Sequence, residues 1–211
     1  MLAVELLRIA YELGNVFVEQ AVLQGILDQN PHDLAIWKEL ITYPVARITE
    51  ELEEEEEESE KDEVLQKRKK ADFAESMMMV IQVAEQAEST LHGTVDAASI
   101  TVIIIQALTA AAKAMSVAGD VSPIYEAIDH QYQKAMNAKI VNGEIVAEMT
   151  RYFASRGQMQ ECVECIHTHQ AMLLASVEPF LTTMTMLISV ANRADYLIVD
   201  VFHVNDVQSR S

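Results

Sequence analysis

Apolar positions recur at helical spacing along nearly the whole chain. Residues 2–13 carry Leu2, Leu6, Ile9, Ala10 and Leu13 on one face before Gly14-Asn15 interrupts. Residues 16–27 read as the return helix, with Val16, Val18, Val22, Leu23, Ile26 and Leu27 apolar. Asn30-Pro31-His32-Asp33 is a turn, and Asp33 can cap the helix that follows. That helix starts a second hairpin over 34–41, with Ile36, Trp37, Leu40 and Ile41 inward, and Pro44 is expected to disturb it. Helix resumes by Leu65 and runs to about Leu91, with Phe73, Met77, Val80, Ile81 and Ala84 inward and His92-Gly93 closing it. Three further hairpins are predicted: 97–117 with 122–136, 144–155 with 158–175, and 180–193 with 195–204. Ser122-Pro123 supplies an N-cap followed by proline at the first helical position.

The turns are periodic. Gly119, Gly157 and Asp195 stand at 38-residue intervals, each followed by a similar apolar pattern, and Gly14 starts a fourth copy. Gly14 and Gly119 are 105 residues apart, two such periods plus 29 residues. Self-similarity at this period indicates stacked supersecondary units, because one hairpin cannot bury both of its faces. Aligning the copies predicts the core. Eight residues before the anchors stand Leu6, Ala111, Met149 and Leu187; nine after them stand Leu23, Ile128, Ile166 and Val204. Two after them stand Val16, Val121, Met159 and Leu197. Four before them, Ala10, Met115, Phe153 and Ala191 alternate small and large, which lets adjacent helices approach closely.

Charge adds one feature to this pattern. The net charge is −18, and residues 50–63 hold eleven acids and one lysine, so over half of it comes from one short run. Residues 44–66 are therefore read as an acidic low-complexity insertion within the second hairpin, solvated because like charges repel. The other residues are still net acidic, so no long basic face for phosphates is visible, although Lys67-Arg68-Lys69-Lys70 is a local basic patch. Cys162 and Cys165, the only two cysteines, exclude a disulfide framework and fit a reducing compartment. The longest apolar run, residues 100–112, is interrupted by Thr101, Gln106 and Thr109 and is read as too short to span a membrane. The first residues match neither a signal peptide nor a transit peptide. Neither end shows a clear polar capping face, as expected of a fragment, a processed form or one piece of an assembly.

The last two hairpins resemble the pentatricopeptide-repeat family. Pro179, Thr183, Leu187 and Ile188 fall on its Pro, Thr, Leu-Ile spacing. Ala154-Ser155-Arg156-Gly157 matches the end of its first helix, and Cys162 takes the small packing position of its second. The resemblance covers roughly 142–207, is looser in the first and third hairpins, and departs in period, since the family repeats nearer 35 residues. The Trp, Gly, Tyr and Pro signature of tetratricopeptide repeats is absent. The resemblance implies organellar RNA binding, one base per repeat, read by two or three side chains. Its first reading position falls here on Ala110, Glu148 and Met186, and its second on Gly143 and Leu181. Alanine, methionine, glycine and leucine side chains offer no hydrogen bond to a base edge, and Glu148 would repel phosphate. Base reading is therefore expected to be lost.

Two constellations have chemical alternatives. Glu164-x-x-His167 has carboxylate-bridged metal spacing, but no second such pair exists and an exposed helix face is expected. Cys162, Cys165, His167 and His169 could form a zinc cluster, yet both cysteines occupy small packing positions of the repeat, so core packing is expected. Met77-Met78-Met79 is read as core with one rim residue. No nucleophile elbow, P-loop or dinucleotide fingerprint is present, so the reading is of a non-enzyme with no catalytic, cofactor or metal residues.

The sequence reading is thus an all-α helical-hairpin repeat solenoid of about five hairpins over 1–211. The resemblance implies a subunit of an organellar gene-expression machine, a mitochondrial ribosome or RNA-processing assembly. Protein contacts would hold it, RNA backbone or shape being contacted through basic residues, with no membrane partner. Mitochondrial placement is implied, with plastid or cytoplasm as alternatives. The candidate partner-facing residues are Lys67, Arg68, Lys69, Lys70, Glu148 and Met186. The alternative is a generic tetratricopeptide-like scaffold with no nucleic acid.

Overall fold

The computed structural model describes residues 9, 16–58, 77–78, 80–116 and 120–194. The chain divides into two compact units, Met1–Ala138 and Lys139–Ser211. Among the described residues both are built from helices, with no strand. The turn anchors expected at Gly14, Gly119 and Asp195 lie outside the described residues, as do Lys67, Arg68, Lys69 and Lys70.

The first unit contains α1 (Val16–Leu27), α2 (Leu34–Glu58), α3 (residues 80–91), α4 (Ala97–Met115) and α5 (Ser122–Ala138). Asp33 caps α2 as expected: its carboxylate accepts from the Ala35 N–H at 3.0 Å. Trp37, Leu40 and Ile41 are buried, and α2 packs against both α1 and α4. α2 does not stop at Pro44. Proline removes one backbone hydrogen bond, a cost of about 3 kcal/mol in a helix interior. Pro44 and Val45 are themselves buried, and that packing holds the helix through the proline. α2 then continues to Glu58, so the first half of the acidic insertion prolongs a helix instead of interrupting one. Glutamate is a good helix former, and propagation from an established helix avoids the cost of nucleation. The rest of that segment, 59–66, lies outside the described residues.

α3 ends at Leu91, and Gly93 takes φ +75° just beyond it. Met77 is buried and Met78 exposed, as core with a rim residue requires. α4 is the centre of the first unit, with Ile100, Ile104, Ile105, Leu108 and Ala111 buried and with α2 and α5 packed on it. By length and composition α4 could cross a membrane, which corrects the sequence reading of its apolar run; half of that stretch is buried inside the fold. α5 begins at Ser122 as expected, but the Val121 carbonyl accepts from the N–H groups of Ile124 and Tyr125, so Ser122 is itself helical and not the N-cap. Asp120 accepts from the Ser122 N–H at 2.9 Å, and hydrogen bonding to Ser122 holds its carboxyl below the ordinary value. Lys134 Nζ donates to Glu88 Oε2 at 2.8 Å, joining α5 to α3.

The second unit contains α6 (Gly143–Ser155), α7 (Met159–Thr168), α8 (Gln170–Leu174) and α9 (Val177–Ala194). Asn142 caps α6, accepting from the Ile145 N–H at 2.9 Å. α6 ends in a Schellman motif: Gly157 at φ +70° donates to Ala154 O, and Gln158 donates to Phe153 O. α7, α8 and α9 all pack on α6. The helix expected over 158–175 is two helices, broken at His169. Neither glycine nor proline causes the break. His169 is buried there, and burial lowers its pKa. The break lets α8 pack on both α6 and α9.

Two of the register's four sets fall in the core wherever they are described, those eight residues before and nine after the anchors, while Phe153, four before its anchor, is half-buried. Leu23, Ile128 and Ile166 are buried, and so are Ala111, Met149 and Leu187. Val121 and Met159, two past their anchors, are half-buried.

Candidate interaction surface

The two positions that a base-reading repeat would use are described in the second unit and in α4. Ala110 is exposed on α4 and Met186 is half-buried on α9. Leu181 is exposed, and Gly143 is buried at the start of α6. A Cβ at Gly143 would stand 3.0 Å from the Met172 carbonyl oxygen, 3.4 Å from Ser176 Cβ and 3.5 Å from Pro179 Cβ. The position has neither a side chain nor room for one.

Glu148 differs from its sequence reading as an acid presented to a partner. It is only 8% exposed. Arg151 Nη1 donates to both of its carboxylate oxygens, at 2.9 and 2.7 Å. One helical turn puts the two residues on the same face, so the i, i+3 spacing was a legible signal for this pairing. The exposed partner of the pair is the cation: the Arg151 side chain is 45% exposed. Beyond it, Arg156 Nη1 donates to the Tyr152 hydroxyl at 2.6 Å, and its guanidinium stands 5.3 Å from the Tyr152 ring centroid.

The cysteines are core residues. Cys162 is buried under α6 with its thiol directed at Thr150 O, 3.7 Å away. Burial, with a smaller contribution from Cys165, pushes the Cys162 thiol up to about 11. A thiol in that state is a poor nucleophile and a poor ligand. Glu164 and His167 are exposed, and Gln160 donates to Glu164 at 3.1 Å. Among the described residues no group of three or more His, Cys, Asp or Glu side chains is placed to hold a metal ion.

Surface chemistry separates by helix. α5 exposes Glu126, Asp129 and His130, and α7 exposes Glu161, Glu164 and His167. The exposed stripe of α4 is Gln106, Ala110 and Lys113, and α4 contains no acid. α9 carries apolar residues on two sides. Pro179, Thr183 and Leu187 are buried, on the line toward α6, whereas Val177, Leu181 and Ile188 are exposed. Of the four residues on the family spacing, Pro179, Thr183 and Leu187 are thus buried and Ile188 is exposed.

Comparison with known proteins returns no match to a family model, to a curated protein or to a solved structure.

Proposed function

We propose that this chain is a helical-hairpin repeat scaffold that acts by holding protein partners within a larger assembly. The observation that carries this reading is the state of the five positions that base recognition would need. Ala110, Leu181 and Met186 have apolar side chains. Gly143 has its Cβ space filled, and Glu148 is buried against Arg151. Reading a base edge requires donors and acceptors at fixed positions, and this set does not supply them. The stripe on α4 supports the same reading. It has one cation, Lys113, where a phosphate-tracking surface needs a cluster.

The resemblance over 142–207 adds the proposed setting, an organellar gene-expression assembly in which protein contacts hold the subunit. Affinity purification of the full-length chain from its native source, with and without ribonuclease, tests both parts. Ribosomal or RNA-processing proteins retained after ribonuclease support the reading. Loss of every partner on ribonuclease treatment makes RNA binding primary and overturns it. Retention of a single partner unrelated to RNA keeps the scaffold and removes the organellar setting.

A further inference from the structure

α9 carries a second apolar line besides the one it buries. Val177, Leu181, Met184 and Ile188 follow the 4-3-4 spacing of a helix-packing seam, about a third of a turn round the helix from buried Pro179, Thr183 and Leu187. Val177, Leu181 and Ile188 are exposed at 75, 56 and 47%, and Met184 is half-buried. Leu174, three residues ahead of Val177, is exposed as well. Together they offer a few hundred Å² of apolar surface, the size at which a patch marks an interaction site.

We infer that this face seats the same face of a second copy of the chain, the two α9 helices running antiparallel about a twofold axis. Two observations select a second copy over another protein. The line is self-complementary. Reversed, its 4-3-4 spacing superposes on itself, so Val177 meets Ile188 of the second copy and Leu181 meets Met184. The shapes are symmetric too, with β-branched Val177 and Ile188 at the ends and the longer Leu181 and Met184 at the centre. A twofold interface demands this symmetry of a single surface, whereas a different partner does not. The face is also nearly uncharged in a chain of net charge −18. Its polar margin, Glu178, Thr182, Thr185 and Ser189, repeats the 4-3-4 spacing and holds one charge. Antiparallel pairing places each Glu178 beside Ser189 of the second copy. The two Glu178 carboxylates are then about 14 Å apart along the axis, beyond the Debye length of about 8 Å. Contact through the acidic stripes of α5 or α7 would instead bring like charges together.

The test is sedimentation equilibrium of the purified full-length chain from about 1 to about 300 μM, which suits an interface at the small end of the specific range. A monomer–dimer equilibrium is expected, strengthened by added salt because screening relieves repulsion between two acidic chains. Leu181→Glu is expected to weaken it about tenfold or more, since a carboxylate is then buried at the centre of the seam. Gln133→Glu adds the same charge at an exposed position on α5 and is expected to leave it unchanged. Equal weakening by both variants overturns the proposal. Val177→Cys with Ile188→Cys, mildly oxidised, reads the register. These positions are about 16 Å apart on one helix, too far for an internal disulfide, and the native cysteines are buried. A covalent dimer with mapped 177–188 links is expected; 177–177 and 188–188 links overturn the antiparallel pairing. A monomer at every concentration overturns the proposal outright. Slow maleimide labelling of that monomer at Val177→Cys then assigns the face to cover by the chain itself, and rapid labelling leaves it open to a different protein. Self-association does not depend on which partners the chain holds, so a monomer here leaves the ribonuclease experiment untouched.

Discussion

The Trp37 indole N–H donates to the carbonyl oxygen of Pro31 at 2.9 Å, so the chain's one tryptophan closes the turn that leads into α2. The ring is buried at the contact of α2 with its neighbours. Trp37→Phe keeps most of the apolar body and deletes the donor, leaving the Pro31 carbonyl to water. A loss of about 1 kcal/mol is expected, read as a lower urea midpoint with an unchanged slope. Tryptophan fluorescence of the parent chain is expected to report unfolding of the first unit.

Gly157 and Lys139 occupy the same backbone region with opposite consequences. Gly157 has φ +70° and open space around a Cβ, so only the conformation opposes substitution. Gly157→Ala is expected to destabilise by about 1 kcal/mol. Lys139, just past α5, has φ +56° without being glycine. Lys139→Gly is expected to stabilise by about 0.5–1 kcal/mol. Thermal unfolding by circular dichroism measures both.

Gly143→Ala meets backbone, since the nearest atom to the new Cβ is the Met172 carbonyl oxygen at 3.0 Å. The start of α6 must then move against α8 and α9. A loss of about 1–3 kcal/mol is expected. Amide exchange is expected to accelerate across α6, α8 and α9 and to remain unchanged in α1 and α2.

Arg151→Ala removes the cation from a carboxylate that stays inside the fold. The arginine is partly exposed, so the expected cost is moderate, about 1–2 kcal/mol. Glu148→Gln in the same background should recover part of it, because a neutral amide is cheaper to bury. The double-mutant cycle checks this; full additivity of the two single changes would show that the pair is not coupled.

Cys162 gives a pH signature. Its thiol is raised from 9.0 to about 11, mainly by burial, so the folded state favours the neutral form. Its contribution to stability is present below pH 9 and is lost as pH rises through 11. Denaturation midpoints should fall over that window, and the fall should flatten in Cys162→Ala. At pH 8 the native thiol should alkylate about a hundredfold more slowly than the same cysteine in denaturant.

Local physics made much of this chain legible from its sequence. Periodic apolar positions located the helices. Asp33, Gly93 and Gly157 marked helix ends through capping and left-handed turns, which depend on nearest neighbours alone. The repeat alignment found Leu23, Ile128 and Ile166 in the core because a fixed helical period repeats a fixed burial. Tertiary structure decided what depends on distant partners. α2 passes Pro44 because burial at Pro44 and Val45 outweighs one missing backbone hydrogen bond. The helix after Gly157 breaks at His169, where no breaker residue stands, because α8 gains contact with α6 and α9. Glu148 reads as an exposed acid until α6 is packed; then desolvation makes its pairing with Arg151 a condition of burial. The face of α9 that holds Ile188 was likewise set by which side α6 occupied, and spacing within one helix does not encode that choice.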